Sequence, residues 1–161
     1  CMYNAERYIE ETLSYVMQQT IQNFHLLIID DCSTDGSLDK VKHFFANNLR
    51  QHELILFEEN HGIAYTRNYV LHHAITKYLI FIDSDDLPLP QLLEKEYNLL
   101  KNDQELMAVS SWLSFIDTKS DLIGGYLWVM STNNHSGNTL KEINSSSCQY
   151  RPCLKENWLF R

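Results

Sequence analysis

Three carboxylates fall within four positions at Asp83-Ser84-Asp85-Asp86, directly after the apolar run Tyr78-Leu79-Ile80-Phe81-Ile82. Carboxylates this close repel one another unless a cation or hydrogen-bond donors offset them. Hard oxygen ligands of this kind suit Mg²⁺ or Mn²⁺, typically shared with substrate phosphates. The group also has a plain structural reading: Asp is a favoured helix N-cap, and Leu87-Pro88-Leu89-Pro90 follows. A second acidic pair, Asp30-Asp31, ends the apolar run Phe24-His25-Leu26-Leu27-Ile28-Ile29 and leads into the turn formers Cys32-Ser33-Thr34-Asp35-Gly36-Ser37. The histidines lack ligand spacing. His72 and His73 are adjacent on a predicted helix and point apart, while His25, His43, His52, His61 and His135 are scattered.

The elements that must position these residues can be read from periodicity. Both apolar runs are short, and each reads as a buried strand; Tyr78–Ile82, rich in aromatic and β-branched residues, reads as buried on both faces. Asn4 is a candidate N-cap for a helix carrying Tyr8, Ile9, Leu13, Val16 and Met17 on one face and closing at Gln18-Gln19-Thr20. Ser37 or Asp35 can cap a second helix bearing Leu38, Val41, Phe44 and Phe45. Glu53–Phe57 reads as a strand with the exit loop Glu58-Glu59-Asn60-His61-Gly62, and a helix follows from about Ile63 to Thr76.

This alternation predicts an α/β fold with a mostly parallel sheet flanked by helices. Right-handed crossovers then bring Tyr3-Asn4, Asp30-Asp31, Asn60–Arg67 and Asp83–Asp86 to one rim, where open α/β sheets bind ligands. Farther on, Leu92, Leu93, Tyr97 and Leu100 mark another helix. Met107–Phe115 and Leu122–Met130 read as strands, and Ser131–Ser147 as a mobile loop. Cys148–Arg161 has no clear period.

The 161-residue length fits one domain, and 44% hydrophobic with 21% charged residues is an ordinary globular composition. A formal net charge of −8 argues against a nucleic-acid binder, which needs a basic face. No apolar run reaches transmembrane length. The cysteines Cys1, Cys32, Cys148 and Cys153 complete no zinc pattern, and reduced thiols in a cytoplasmic setting fit them best. The chain opens straight into Met2-Tyr3-Asn4 as though a preceding strand had been cut, which is expected of a fragment.

From residue 2 to about residue 118 the sequence resembles family 2 glycosyltransferases, inverting enzymes of the GT-A fold. Four signatures in family order carry the resemblance. They are Tyr3-Asn4 with Tyr8-Ile9 and Gln19-Thr20; Ile28 to Ser37; Asn60-His61-Gly62-Ile63-Ala64-Tyr65-Thr66-Arg67-Asn68; and Phe81-Ile82-Asp83-Ser84-Asp85-Asp86. The resemblance implies a GT-A domain truncated at both ends, with residues 1–118 binding the donor and 119–161 a partial acceptor region. It implies a nucleotide-diphosphate sugar as donor, most commonly uridine-linked in the family, and a saccharide or lipid-linked acceptor. Work in the cytoplasm, at the inner face of the membrane and with peripheral association, is consistent with such acceptors.

The site residues follow from the same resemblance. Tyr3, Asn4 and Glu6 would flank the nucleotide, and Asp31 would contact the base or ribose, leaving Asp30 to cap the turn. Asp83-Ser84-Asp85 looks like the family's DXD motif, with Asp85 and Asp83 as ligands to Mn²⁺ or Mg²⁺ and Asp86 in support or capping. Arg67 resembles the family arginine that faces the donor, where a guanidinium can pair with phosphate or with the acidic cluster; its bland alternative is a surface salt bridge. The general base of the family lies in a later acidic motif. After Asp121 the carboxylates are Glu142 and Glu156, neither in such a motif, so the catalytic base is not assigned.

Two other readings remain beside it. Without the base, the chain could be a non-catalytic nucleotide-sugar binding module. Phe81–Asp85 also matches the aspartyl-nucleophile motif of haloacid-dehalogenase phosphatases, although it comes late and Leu87 stands where that motif has Thr or Val.

Overall fold

Ile9, Leu13 and Val16 recur at helical spacing, and α1 (Ile9–Met17) turns them inward together with Thr12. This is a computed structural model, in which residues 1–48, 50–127, 146–150 and 158–160 are described. β1 (Leu26–Asp30) follows, then α2 (Ser37–Ala46) with Val41 and Phe45 buried, then β2 (His52–Leu56). β2 lies parallel to β1 in unbroken register from Leu26↔His52 to Asp30↔Leu56, and α2 is the crossover that parallel neighbours require. Next come α3 (Ile63–His73), β3 (Leu79–Ile80), β4 (Leu87–Pro88) and α4 (Leu92–Asn102). The last elements are β5 (Ala108–Ser110), β6 (Trp112–Ile116), β7 (Leu122–Leu127), β8 (Ser146–Tyr150) and β9 (Trp158–Phe160).

The expected alternation of helix and strand is therefore present through α4. Beyond it, antiparallel pairing enters: among the described residues the strands order as β1-β2, β3-β9-β5 and β4-β8-β6-β7, with β6–β8 again parallel.

Several local expectations are corrected. Asn4 does not cap α1; its φ of 49° lies in the left-handed region and its side chain accepts a hydrogen bond from Thr34 N–H instead. α3 stops at His73 rather than Thr76, because Ala74 turns to extended backbone. The run Tyr78–Ile82 enters a ladder only at Leu79 and Ile80, and these are half-buried rather than enclosed on both faces. The aperiodic Cys148–Arg161 stretch contains β9 and most of β8, and Ser146-Ser147 belong to β8 rather than a loop. The remainder of the expected loop, and Glu142, Glu156, His135 and Cys153, lie outside the described residues.

Two apolar clusters hold the fold. One joins Met2, Ala5, Ile9, Leu13, Ile28, Val41 and Phe45 between β1 and the first two helices. The other joins Leu100, Leu106 and Val109 with Tyr78 and Ile80, tying α4 to β3 and β5.

A buried amide links the halves. Gln19 Nε2 donates to Pro88 O (3.0 Å) and Leu89 O (2.9 Å), and its Oε1 accepts from Leu93 N–H (3.1 Å). The Thr20 N–H adds a bond to Pro90 O at 2.7 Å. On α4, Glu96 is fully buried and accepts from Ser111 Oγ. Burial pushes its carboxyl up to about 8, against the opposing pull of the Ser111 hydrogen bond.

Candidate functional site

Strand β1 delivers Asp30 and Asp31 to the rim, and both are buried. Asp30 Oδ1 accepts from the Ser33 N–H and hydroxyl, so it caps the turn, as its sequence context suggests. Asp31 reaches the other way. Its two oxygens accept from His61 N–H at 2.9 Å and Gly62 N–H at 2.8 Å. One lone pair on each oxygen is thereby engaged, and the other remains an acceptor.

Gly62 sits at φ 81°, ψ 166°, a conformation essentially reserved for glycine, and it opens α3 directly beside Asp31. His61 stacks on Tyr65 with ring centroids 4.1 Å apart, and Phe57 meets both rings edge-on. The loop from β2 to α3 is thus fixed by a carboxylate on one side and an aromatic cluster on the other.

The N-terminal turn is laced to the Cys32–Ser37 turn. Asn4 N–H donates to Ser33 Oγ at 3.0 Å, and Glu6 N–H donates to Asp35 Oδ2 at 3.0 Å. In return, Gly36 N–H donates to Glu6 Oε2 at 3.1 Å. A Cβ at Gly36 would stand 2.7 Å from the Glu6 carboxyl carbon, so a larger residue there would push the Glu6 side chain off the Gly36 amide. Burial draws the Asp35 carboxyl upward, but bonds from the Ser37 hydroxyl and the Glu6 and Ser37 amides outweigh it and hold it below its ordinary value. Tyr3 is half exposed at this edge rather than packed on the sheet. Glu6 and Asn4, expected at the nucleotide, therefore place their side-chain oxygens on backbone amides of the facing turn.

At the end of β3, Asp83 is buried and faces Arg67 from α3, with Nη2 3.3 Å from Oδ1 and 3.5 Å from Oδ2. The guanidinium also lies over the Phe81 ring, 5.4 Å from its centroid. Arg67 thus joins the acidic cluster rather than making a surface pair. The turn continues through Asp86 N–H to Asp83 O at 3.2 Å. Asp86 is buried and does not cap α4, which starts at Leu92 behind the N-cap Gln91.

Thr12 was not singled out from the sequence, yet its hydroxyl donates to Ser84 O at 3.0 Å and anchors the acidic loop to α1. Its signal was legible: a hydroxyl on the apolar face defined by Ile9, Leu13 and Val16 needs a partner when buried.

Among the described residues no group of three or more His, Cys, Asp or Glu side chains is gathered around one point. The acidic turn carries the carboxylate oxygens of Asp83 and Asp85. That chemistry fits a hard divalent cation that keeps water or phosphate oxygens as its other ligands. No helix among the described residues is long and apolar enough to cross a membrane.

Comparisons with known proteins identify the family and the fold. The family model described as glycosyl transferase family 2 matches residues 1–153, and the chain belongs to that family. Among curated relatives, it is 36% identical over 106 residues to the Escherichia coli UDP-Glc:alpha-D-GlcNAc-diphosphoundecaprenol beta-1,3-glucosyltransferase WfgD, covering 65% of this chain and 41% of that one. Among solved structures, S. aureus TarS 1-349 in complex with UDP-GlcNAc superposes with a TM-score of 0.57 at 28% identity, over 71% of this chain and 32% of that one. The Pyrobaculum calidifontis mannosyltransferase PcManGT, in complex with GDP-Man and Mn²⁺, gives 0.61 at 27% identity, over 68% and 33%.

The fold is accordingly GT-A, and the family membership displaces the phosphatase alternative. The chain spans about two fifths of the length of the curated relatives it matches.

Proposed function

We propose that this chain is the donor-binding part of an enzyme that transfers a sugar, with inversion, from a uridine-diphosphate sugar to a saccharide or lipid-linked acceptor. The observation that carries the reading is the Arg67–Asp83 pair, which draws α3 and the acidic turn together on the rim that also holds Asp31. A base and ribose would lie against Tyr3 and the remaining lone pairs of Asp31. The diphosphate would lie at Asp83, Ser84 and Asp85, with Asp85 and Asp83 holding Mn²⁺ or Mg²⁺. A cation there supplies Lewis-acid stabilisation of the departing diphosphate.

The protein's own contributions are positional and electrostatic. Arg67 brings a positive charge beside the carboxylates, and Thr12 fixes the loop that bears them. As the acceptor hydroxyl oxygen bonds to the anomeric carbon, the bond from that carbon to the phosphate oxygen breaks on the opposite face, and the configuration inverts. The hydroxyl proton passes to a general base, which none of the described residues is assigned to provide.

Titration calorimetry with UDP and Mn²⁺ tests the donor site. Wild-type chain is expected to bind UDP only with metal present, and Asp85→Ala to lose about 100-fold in that affinity. Metal-independent binding, or an unchanged Asp85→Ala, refutes the assignment.

A further inference from the structure

Phe57 is the first residue after β2, and its backbone and its ring reach different parts of the rim. The backbone N–H donates to Asp30 O at 2.9 Å, immediately before Asp31. The ring meets three others edge-on: His61 with centroids 5.4 Å apart, Tyr65 at 5.7 Å and Tyr69 at 5.3 Å. The interplanar angles are 84°, 75° and 75°, the tilted contact that sets the positive edge of one ring on the negative face of another. Phe57, His61, Tyr65 and Tyr69 recur every fourth residue, which places the two tyrosines on one side of α3. One ring at the end of a strand therefore holds both the following loop and the helix beyond it.

The helix needs that support, because its N-cap is Gly62, which has no side chain to bond the first turn. Its entry is fixed instead by Asp31, whose oxygens take the His61 and Gly62 amides, and by Asn60 Nδ2, which donates to Asp31 O at 3.1 Å. The dependence runs both ways. A carboxylate bonded to two consecutive amides points where their loop lets it, and this loop is seated by the Phe57 ring through His61.

We propose that Phe57 is a positioning residue for the donor. Its ring holds His61 and the first turns of α3, their amides hold the Asp31 carboxylate, and the second lone pair of each Asp31 oxygen is thereby kept aimed at the base or ribose. Arg67 does not depend on Phe57 in this way. Its neighbour Thr66 and the next turn's Val70 are buried, and its guanidinium has Asp83 and the Phe81 ring. Loss of the ring therefore loosens the nucleoside half of the cleft and spares the diphosphate half.

The effect on the donor rests on the reading of Asp31 given above; the hold of the ring on the two amides does not.

Two measurements on Phe57→Leu, which keeps apolar bulk but has no ring edge, test the two links. Amide hydrogen exchange on the free chain reads the first. The His61 and Gly62 amides are expected to lose about tenfold in protection while the β1 amides keep theirs. Unchanged protection at His61 and Gly62 overturns the proposal. An equal loss across β1 overturns it as well, since Phe57 would then be a general packing residue. Calorimetry reads the second link with two probes, UDP with Mn²⁺ and inorganic pyrophosphate with Mn²⁺. UDP is expected to bind about tenfold more weakly than to wild type, and pyrophosphate, which lacks the nucleoside, to bind both chains alike. Equal weakening of the two probes overturns the donor role, as does unchanged UDP affinity once the amides are loosened.

Phe57→Tyr keeps the ring and is expected to restore both protection and UDP affinity; a tyrosine variant as weak as the leucine one overturns a role for the ring. If Phe57→Leu does not fold, Tyr65→Leu replaces it. Tyr65 is half exposed, and its loss removes the stack on His61 and one edge-on contact. About threefold changes in the same direction are expected, and unchanged exchange at His61 and Gly62 counts against the proposal. Wild-type chain that binds neither probe with Mn²⁺ fails the donor reading alone, and the exchange result still decides whether Phe57 holds the loop on Asp31.

Discussion

The two acidic turns begin alike, each an apolar run ending in paired carboxylates, and they end differently. In the first, Asp31 and Asp35 accept hydrogen bonds from backbone amides of neighbouring turns, and Asp30 from an amide of its own turn. In the second, Asp83 faces a guanidinium from another helix. Amides offset a carboxylate permanently and lock loops together. A guanidinium offsets it in a way that can be shared with a phosphate or a cation. In the proposed reading the first turn shapes the cleft, and the second carries the charge that the diphosphate and its cation would meet.

Substitutions should separate these roles. The largest stability effect is expected from Asp31→Ala, which strands the His61 and Gly62 amides and should cost about 3 kcal/mol by denaturant unfolding. A cost below about 1 kcal/mol would show that the amides find other partners.

Glu96 supplies the third case, a buried carboxyl held by one hydroxyl. Its folded pKa of about 8 lies above the ordinary 4.5, so between those values the unfolded chain releases a proton that the folded chain keeps. Stability should fall as pH rises through that window and level off above it. Glu96→Gln should remove about 1 kcal/mol per pH unit of that slope, measured by urea unfolding from pH 5 to pH 8.

The smallest effect belongs to Arg67→Met. With Arg67 about one-third exposed, losing the pair should cost about 1 kcal/mol of stability, while metal-dependent UDP affinity falls about tenfold. Stability loss without affinity loss would assign Arg67 to the architectural class.

Much of this was legible in the sequence, for physical reasons. α1, α2 and α4 carry strong apolar stripes, and β1 is an unbroken apolar run, so local pattern and tertiary burial agree. The convergence of Asp31, Gly62, Arg67 and Asp83 followed from crossover handedness, which needs only the order of elements. What escaped depended on distant partners. Asn4 looks like a helix cap until Thr34 from another turn claims its oxygen. β8 and β9 have no period of their own, because their ladders are set by β6 and by β3 with β5. The run Tyr78–Ile82 has the composition of a central strand but a ladder at only two residues, since its described pairing is confined to β9.

The Gln19 amide has a mechanical consequence. By binding Pro88, Leu89 and Leu93 at once, it welds the end of α1 to the start of α4, and Thr12 adds a second weld to Ser84. The acidic loop therefore moves with α1 as one body. Any closing of the cleft around a ligand must hinge outside α1 and the acidic loop.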